Sequence, residues 1–366
     1  MTYSVLILMP QLFSGGAEKQ VRYIIEGLEK SGFRCTVLIE SGESNSKVCI
    51  EYMETHKNIE FVFFDAGMDT AKSKTVKRKL YSICKLAYWI VSNRKKRFSW
   101  AMFTNLTGLL LVPLCRMLSI NVLYNERNPG IKICDRLWKR WILSMCTKVV
   151  ANSKGAAAHM STVLKREVPY INNGIKQNGF STFEIEDKGL IFVPARITPI
   201  KNQMVVLKAI NLLNKRGNNF KIQFAGTIED EAYYNQLMSF VSSKKMRDYV
   251  QFLGFISNVE KHYQKAVLII LPSYEEGTPN VILEAYLAKK LCLASNIIMN
   301  KDISLDDRIL FEADNYEQLA EKIEWIQSLS ANDVERLKEK NYSFVKSNYD
   351  ITRMQKRYQE IFMKGT

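Results

Sequence analysis

Short apolar runs alternate with longer stretches of helical period along almost the whole chain. "SVLILMP", "RCTVLIE" and "IEFVFFD" are near-continuous apolar runs of strand length, as expected of strands covered on both faces. "AEKQVRYIIEGLEKSG" has amphipathic helical spacing and stops at Gly32, a residue that closes helices by entering the left-handed region. "VKRKLYSICKLAYWIVSN" repeats the period and puts Leu80, Ile83, Leu86, Ala87 and Ile90 on one helical face. "WAMFTN", "NVLYNE" and "TKVVANS" read as further strands around the helices "GLLLVPLCRML" and "KGAAAHMSTVL". This order predicts parallel β-α-β units with right-handed crossovers.

The pattern breaks once, in the polar, turn-rich segment Pro169–Gly189. A second alternating series follows, with strands expected at "GLIFVPA", "FKIQFAG", "VQFLGF", "VLIILPS", "LCLAS" and "LFEAD". We therefore expect a first domain at 1–175, a linker at 176–188 and a second domain at 189–349. The fold class is α/β: two doubly wound Rossmann-like domains with a cleft between them.

Composition narrows the setting. The 366 residues are 47% hydrophobic and 24% charged, values of a soluble globular protein. No apolar run approaches the eighteen residues of a membrane span, and "VLILM" lacks the flanks of a signal peptide. Seven cysteines without a CxxC pair, and three isolated histidines, fit reduced thiols and predict no metal site. The net charge of +15 is distributed unevenly. Residues 1–180 hold 27 Lys and Arg against 13 Asp and Glu, a net of +14. Between Thr70 and Asn125 eleven basic residues occur without one acid, including "KSKTVKRK" and "RKKR". Such a surface suits anionic phospholipid or a phosphate-bearing substrate. Nucleic acid is not expected, because the clusters lack regular aromatic interleaving and a recognition motif.

Open α/β sheets bind ligands at the carboxyl ends of their strands, and four suggestive stretches fall there. In "SGGAE", Gly15 and Gly16 precede a helix, where backbone amides can approach a phosphate or sugar; an ordinary tight turn uses the same pair. In "PARITPIKN", Arg196 and Lys201 leave a strand end five positions apart, around Pro199. A guanidinium and an ammonium in one loop can straddle a diphosphate. In "FAGTIED", Gly226 ends a neighbouring strand. In "PSYEEGTPNVILEA", Glu276 and Glu284 stand eight positions apart across a Gly277-Thr278-Pro279-Asn280 turn. Pro279 fits the first helical position, Thr278 the cap, and the amides of Asn280 and Val281 are expected to be open to an anion. Glu284 lies between "VIL" and "AYLA", an unusual place for a surface acid.

In order and spacing these stretches resemble the retaining family-4 glycosyltransferases of the GT-B fold, over nearly the whole chain. "SGGAE" resembles that family's first glycine loop, "NSKG" and "NNGI" its late N-domain strand end and hinge, "ARITPIKN" its diphosphate loop, and "EGTPNVILE" its E-x7-E element. The resemblance implies that Arg196 and Lys201 neutralise the leaving diphosphate, so that no metal cofactor is needed. It implies that Glu276 faces the transferred sugar and Glu284 the ribose, with amides from Gly277 to Asn280 serving hydroxyls and phosphate. It brings Gly15 and Gly16 to the donor phosphates, and Gly254 and Phe255 to the base pocket; Gly226, exposing backbone at its strand end, suits a nucleoside or an ordinary turn. A final helix at 350–366 is expected to return to the first domain. Where many relatives carry a histidine this chain has Glu126 and Arg127, which become candidates for the acceptor side. After "LCLAS", "NIIMNKDISLDD" replaces a glycine loop, as in a subset that builds bacterial surface polysaccharides.

The expectation is thus a cytoplasmic, membrane-peripheral enzyme moving a sugar from a nucleotide diphosphate donor, a UDP-sugar, to a lipid-diphosphate-linked glycan. Two other readings stay open: a GT-B sugar-nucleotide epimerase, and a non-catalytic polyanion binder on a degenerate transferase fold.

Overall fold

The computed structural model describes residues 3–13, 15–40, 46–64, 76–176, 187–256 and 258–364. Ser14, residues 72–75 of the first basic run and residues 177–186 of the expected linker lie outside the described residues. The chain divides into two compact units, Met1–Gly174 with Ile351–Thr366, and Ile175–Asp350.

The first unit runs β1 (Ser4–Met9), α1 (Gly16–Lys30), β2 (Arg34–Ile39), α2 (Lys47–Thr55), β3 (Ile59–Phe63), α3 (Val76–Ser92), β4 (Trp100–Phe103), α4 (Leu106–Met117), β5 (Asn121–Glu126), α5 (Leu137–Met145), β6 (Lys148–Ala151) and α6 (Lys154–Leu164). Its strands form one parallel sheet in the order β3-β2-β1-β4-β5-β6. Side chains alternate between two cores. Val5, Ile7 and Met9 of β1 face one, with Trp100 and Met102 of β4. Leu6 and Leu8 face the other, with Ala101 and Phe103. Coverage on both faces is why these strands carry no polar alternation.

The second unit runs β7 (Asp187–Pro194), α7 (Gln203–Lys215), β8 (Lys221–Ala225), α8 (Glu231–Ser243), β9 (Val250–Phe252), α9 (Val259–Lys265), β10 (Ala266–Leu271), α10 (Asn280–Leu287), β11 (Leu291–Ser295), α11 (Ile298–Lys301), β12 (Leu310–Phe311), α12 (Tyr316–Ser328) and α13 (Ala331–Asn348). Its sheet order is β12-β11-β10-β7-β8-β9, every pair parallel. Counted within each unit, both sheets follow the order 3-2-1-4-5-6, whose direction reverses beside the first strand. In the second unit that switch point lies between β7 and β10.

The last helix, α14 (Ile351–Met363), belongs to the first unit and packs on α1. Gln355 donates to the Tyr23 carbonyl (2.7 Å) and Gln359 to the Gly27 carbonyl (3.0 Å). A Cβ at Gly27 would fall 2.5 Å from Gln355 Cγ, so the glycine sets how closely the two helices approach. Tyr358 and Phe362 close this core without solvent exposure.

Three local expectations change. The linker does not extend to 188, because β7 starts at Asp187, opposite Ala266 of β10; pairing with a central neighbour draws two polar residues into the strand. Leu80 is not on the buried face of α3 but is exposed. Leu86 and Ile90 are the core residues, flanked by Ile83 and Ala87. The outward face is apolar too, so periodicity alone does not tell which side is inside. Helices α2 and α5 are additional to those read from the sequence. "LWKRWILSM" was hidden by bulky residues on both of its faces.

Candidate active site

The β7–β10 switch point gathers the chemistry of the second unit. Beyond β7 the chain turns through Ala195–Thr198 into a single 3-10 turn, Pro199–Lys201. This loop is held from both sides. Ile197 donates to the Thr227 carbonyl after β8 (2.8 Å), and Tyr274 after β10 donates to the Ile200 carbonyl (2.9 Å). Buried Gln203 donates to the Arg196 carbonyl (2.8 Å), and Asn202, in the left-handed region at φ 49°, donates to the Ala313 carbonyl (2.7 Å). The backbone from 196 to 202 is therefore set before any ligand arrives.

The two cations of this loop diverge. Lys201 Nζ stands 2.6 Å from Oε1 of Glu276, with the two side chains only 14% and 13% exposed. Arg196 turns to Glu229 on the β8 side, and both of these side chains are open to solvent. Arg196 and Lys201 thus leave the same loop toward separate carboxylates. Glu229, three residues past Gly226 in "FAGTIED", went unnoticed in the sequence; an acid at a strand end beside the cationic loop was the available signal.

Gly226 is required by proximity. A Cβ there would sit 2.3 Å from the Ala195 carbonyl oxygen and 2.7 Å from the Arg196 nitrogen. Its amide donates to the Gly254 carbonyl (2.8 Å), tying the β8 and β9 ends together. Gly254 takes φ 66°, and Phe255 beside it is 61% exposed, a free aromatic face for a planar ligand.

Helix α10 starts one residue later than the sequence suggested. Pro279 is the cap and carries no side-chain bond. Thr278 is buried and does not cap the helix; its carbonyl accepts the Asn280 amide (2.8 Å). The Ile282 amide bonds the Pro279 carbonyl (3.0 Å). The Asn280 amide is thus not open to an anion, because Pro279 at ψ 78° folds the turn back on itself. Gly277 and Glu275 are half-buried beside Glu276.

Glu284, one turn into α10 and half-buried, accepts a hydrogen bond from the hydroxyl of Tyr263 on α9 (3.0 Å). Tyr263 is wholly buried, and burial pushes its phenol well above the ordinary value, so it remains a donor. It is a second residue that sequence reasoning missed, since nothing in "VEKHYQKA" singles it out.

The remaining candidates belong to the first unit. Gly15 caps α1 in extended backbone at φ −161°, with room for a side chain apart from the mobile end of Glu18. Gly16 is the first residue of α1. Glu126 ends β5, is buried, and accepts the amides of Arg127 (3.0 Å) and Asn128 (2.8 Å). Burial nevertheless pushes its carboxyl up to about 7. Arg127 is buried beside Tyr358, with Glu18 and Glu126 within electrostatic reach, yet its guanidinium makes no well-aligned hydrogen bond. Among the described residues no group of three or more His, Cys, Asp and Glu could hold a metal.

Residues 175–344 match the family described as "Glycosyl transferases group 1". The match spans nearly the whole of the second unit. An α-1,4-N-acetyl-D-galactosaminyltransferase of Campylobacter jejuni, named for a glycan on diphospho-undecaprenol, is 24% identical over 94% of this chain and 96% of its own. The capsular polysaccharide glycosyltransferase CapH of Staphylococcus aureus is 26% identical over 201 residues, 54% of each chain. Among solved structures, Anabaena HepE in complex with UDP and glucose superposes with a TM-score of 0.81 at 14% identity, covering 98% of this chain and 99% of that one. Sucrose-phosphate synthase from Thermosynechococcus elongatus reaches 0.84 at 14% identity, covering 99% and 98%. These likenesses establish the fold as GT-B, two Rossmann-like units. The candidates Arg196, Lys201, Glu276 and Glu284 all lie inside the matched segment.

Proposed function

We propose that the protein is a retaining glycosyltransferase that moves a sugar from a UDP-sugar to a glycan on a lipid diphosphate, in bacterial surface-glycan synthesis. The observation that carries this reading is the Lys201–Glu276 contact at the switch point of a group 1 glycosyltransferase domain. A cation for the leaving phosphate and a carboxylate for sugar hydroxyls stand side by side on a rigid loop, where doubly wound sheets bind their ligands. The acceptor class is supported by the Campylobacter relative, which this chain matches nearly end to end. The donor class is supported by the UDP complex of the HepE neighbour.

In this reading Lys201 and Arg196 leave their carboxylates to take the diphosphate. Glu276, released from Lys201, accepts hydroxyls of the transferred sugar. Glu284, oriented by Tyr263, accepts ribose hydroxyls, and Phe255 covers the base. The bond from the anomeric carbon to the phosphate oxygen breaks, and the acceptor oxygen bonds that carbon on the same face. The acceptor proton passes to the leaving phosphate. Cationic stabilisation from the two side chains takes the part of a metal ion. Buried Glu126 and Arg127 hold the acceptor side.

Incubation with a panel of nucleotide sugars tests this. Slow release of UDP from one donor, insensitive to chelator and accelerated by a diphospholipid-linked glycan with retention at the anomeric carbon, is expected. Interconversion of the donor without acceptor would make the protein an epimerase. No turnover with any donor would leave a binding protein.

A further inference from the structure

The second face of the first sheet is covered by α3, α4 and α5, packed side by side in that order. Their outward surface is unusual for a protein in water. Of the nineteen large apolar side chains exposed on the described surface, eleven fall between Leu80 and Trp141, a segment of 62 of the 366 residues. On α3, Leu80, Cys84, Tyr88 and Val91 form a solvent-facing stripe at helical spacing. Met117 at the end of α4 is 83% exposed, and on α5 Leu137, Trp138 and Trp141 are exposed on one side. Exposed apolar patches of this kind mark contact surfaces.

The charge on the same segment says what makes the contact. Residues 80–141 contain eight exposed and two part-buried Lys and Arg against one exposed acid, Asp135, which is paired with Lys139 (2.7 Å). Glu126, the other acid of the segment, is buried. Arg94–Arg97 follow α3, and Lys132, Arg136, Lys139 and Arg140 flank the tryptophans of α5 in sequence. A second copy of this chain would set like charges against each other across a symmetric contact. Aliphatic and indole tips ringed by cations match the boundary between anionic headgroups and acyl chains. Indoles settle at the headgroup level, and Lys and Arg reach around them to the phosphates.

We infer that the outer face of α3, α4 and α5 docks on an anionic lipid surface, with Trp138 and Trp141 inserted as anchors. Among the described residues no helix is long and apolar enough to cross a membrane, so the contact is peripheral. The inference stands on the first unit alone and does not depend on which sugar the second unit handles.

The test is co-sedimentation of the whole chain with vesicles of phosphatidylcholine, with and without phosphatidylglycerol, at low and high salt. Binding only to phosphatidylglycerol vesicles, weakened by salt and accompanied by a blue shift of tryptophan emission, is expected. Trp138→Ser with Trp141→Ser should weaken it by at least about tenfold without changing the melting temperature. Should that pair unfold the protein, Leu137→Ser, at a position 80% exposed, should weaken binding in the same direction. Absence of binding, or binding indifferent to these substitutions, overturns the inference. So does a dimer that the same substitutions dissociate, which would make this face a self-contact.

Discussion

The ammonium of Lys201 and the carboxylate of Glu276 neutralise each other across 2.6 Å, on loops that follow neighbouring strands β7 and β10. The pair is about seven-eighths buried, so neither charge is screened as a surface ion would be. In the proposed reading an incoming diphosphate competes with Glu276 for Lys201, and that exchange frees the carboxylate for the sugar. Glu276→Gln should lower kcat by about 10²–10³-fold while UDP binds no more weakly than before. Calorimetric titration with UDP checks this. Weaker UDP binding by Glu276→Gln would assign the carboxylate to the diphosphate geometry instead.

Removing the cation has a different signature. Lys201→Ala leaves the largely buried Glu276 carboxylate without its partner, a situation that costs about 1–3 kcal/mol. A fall in melting temperature together with loss of UDP binding is expected. Wild-type stability in this variant would mean that water satisfies Glu276 as well as Lys201 does.

Tyr263→Phe removes one hydroxyl from a fully buried ring and takes a donor from Glu284. The fold should lose about 1 kcal/mol. If Glu284 holds the ribose, affinity for UDP should fall several-fold, while affinity for inorganic diphosphate stays unchanged. Equal losses for both ligands would remove the ribose assignment.

Two glycines should respond in opposite ways. Gly226→Ala drives a methyl group into the backbone at Ala195 and Arg196; overpacking of this kind costs about 1–3 kcal/mol or more, and Arg196 must shift. Gly15→Ala meets only the flexible end of Glu18, and melting should move by less than that of Gly226→Ala. If Gly15 lies against donor phosphate, Gly15→Ala nevertheless reduces turnover. Unchanged activity would leave Gly15 as a helix cap alone.

Glu126 gives a pH signature. Its carboxyl titrates near 7 in the folded chain because of burial, against an ordinary value of 4.5. Between those values the native state keeps a proton that the unfolded chain has released. Stability therefore falls as pH rises from about 4.5 to about 7, by at most about 3 kcal/mol. Glu126→Gln, which carries the neutral shape permanently, should flatten the melting profile in that window. A profile identical to wild type would show that Glu126 titrates alike in the folded and unfolded chain.

Much of this architecture was legible because its signal is local. Doubly covered parallel strands such as β1, β2 and β10 are continuous apolar runs, and each strand of the described residues overlaps a stretch read as one. Glycines at strand ends and the acid pair of "EGTPNVILE" declared themselves by position. What was illegible depends on partners distant in sequence. Glu229 is 33 residues from Arg196, and Tyr263 is 21 from Glu284. The start of α10 was misplaced because a proline is accepted both as a cap and as the first helical residue, and the ψ angle decides between them.

The sequence by itself determined two α/β units, the strand ends where chemistry gathers, and a basic first half, since periodicity and charge are properties of the chain. Only the tertiary structure decided that Lys201 neutralises Glu276 while Arg196 turns to Glu229, that Gly226 exists to let two backbones touch, and that the outer faces of α3, α4 and α5 are apolar to solvent. A residue's spacing says which neighbours share its face. Which face is buried, and which charge finds which partner, depends on how the strands are ordered in the sheet, and that order brings together loops far apart in sequence.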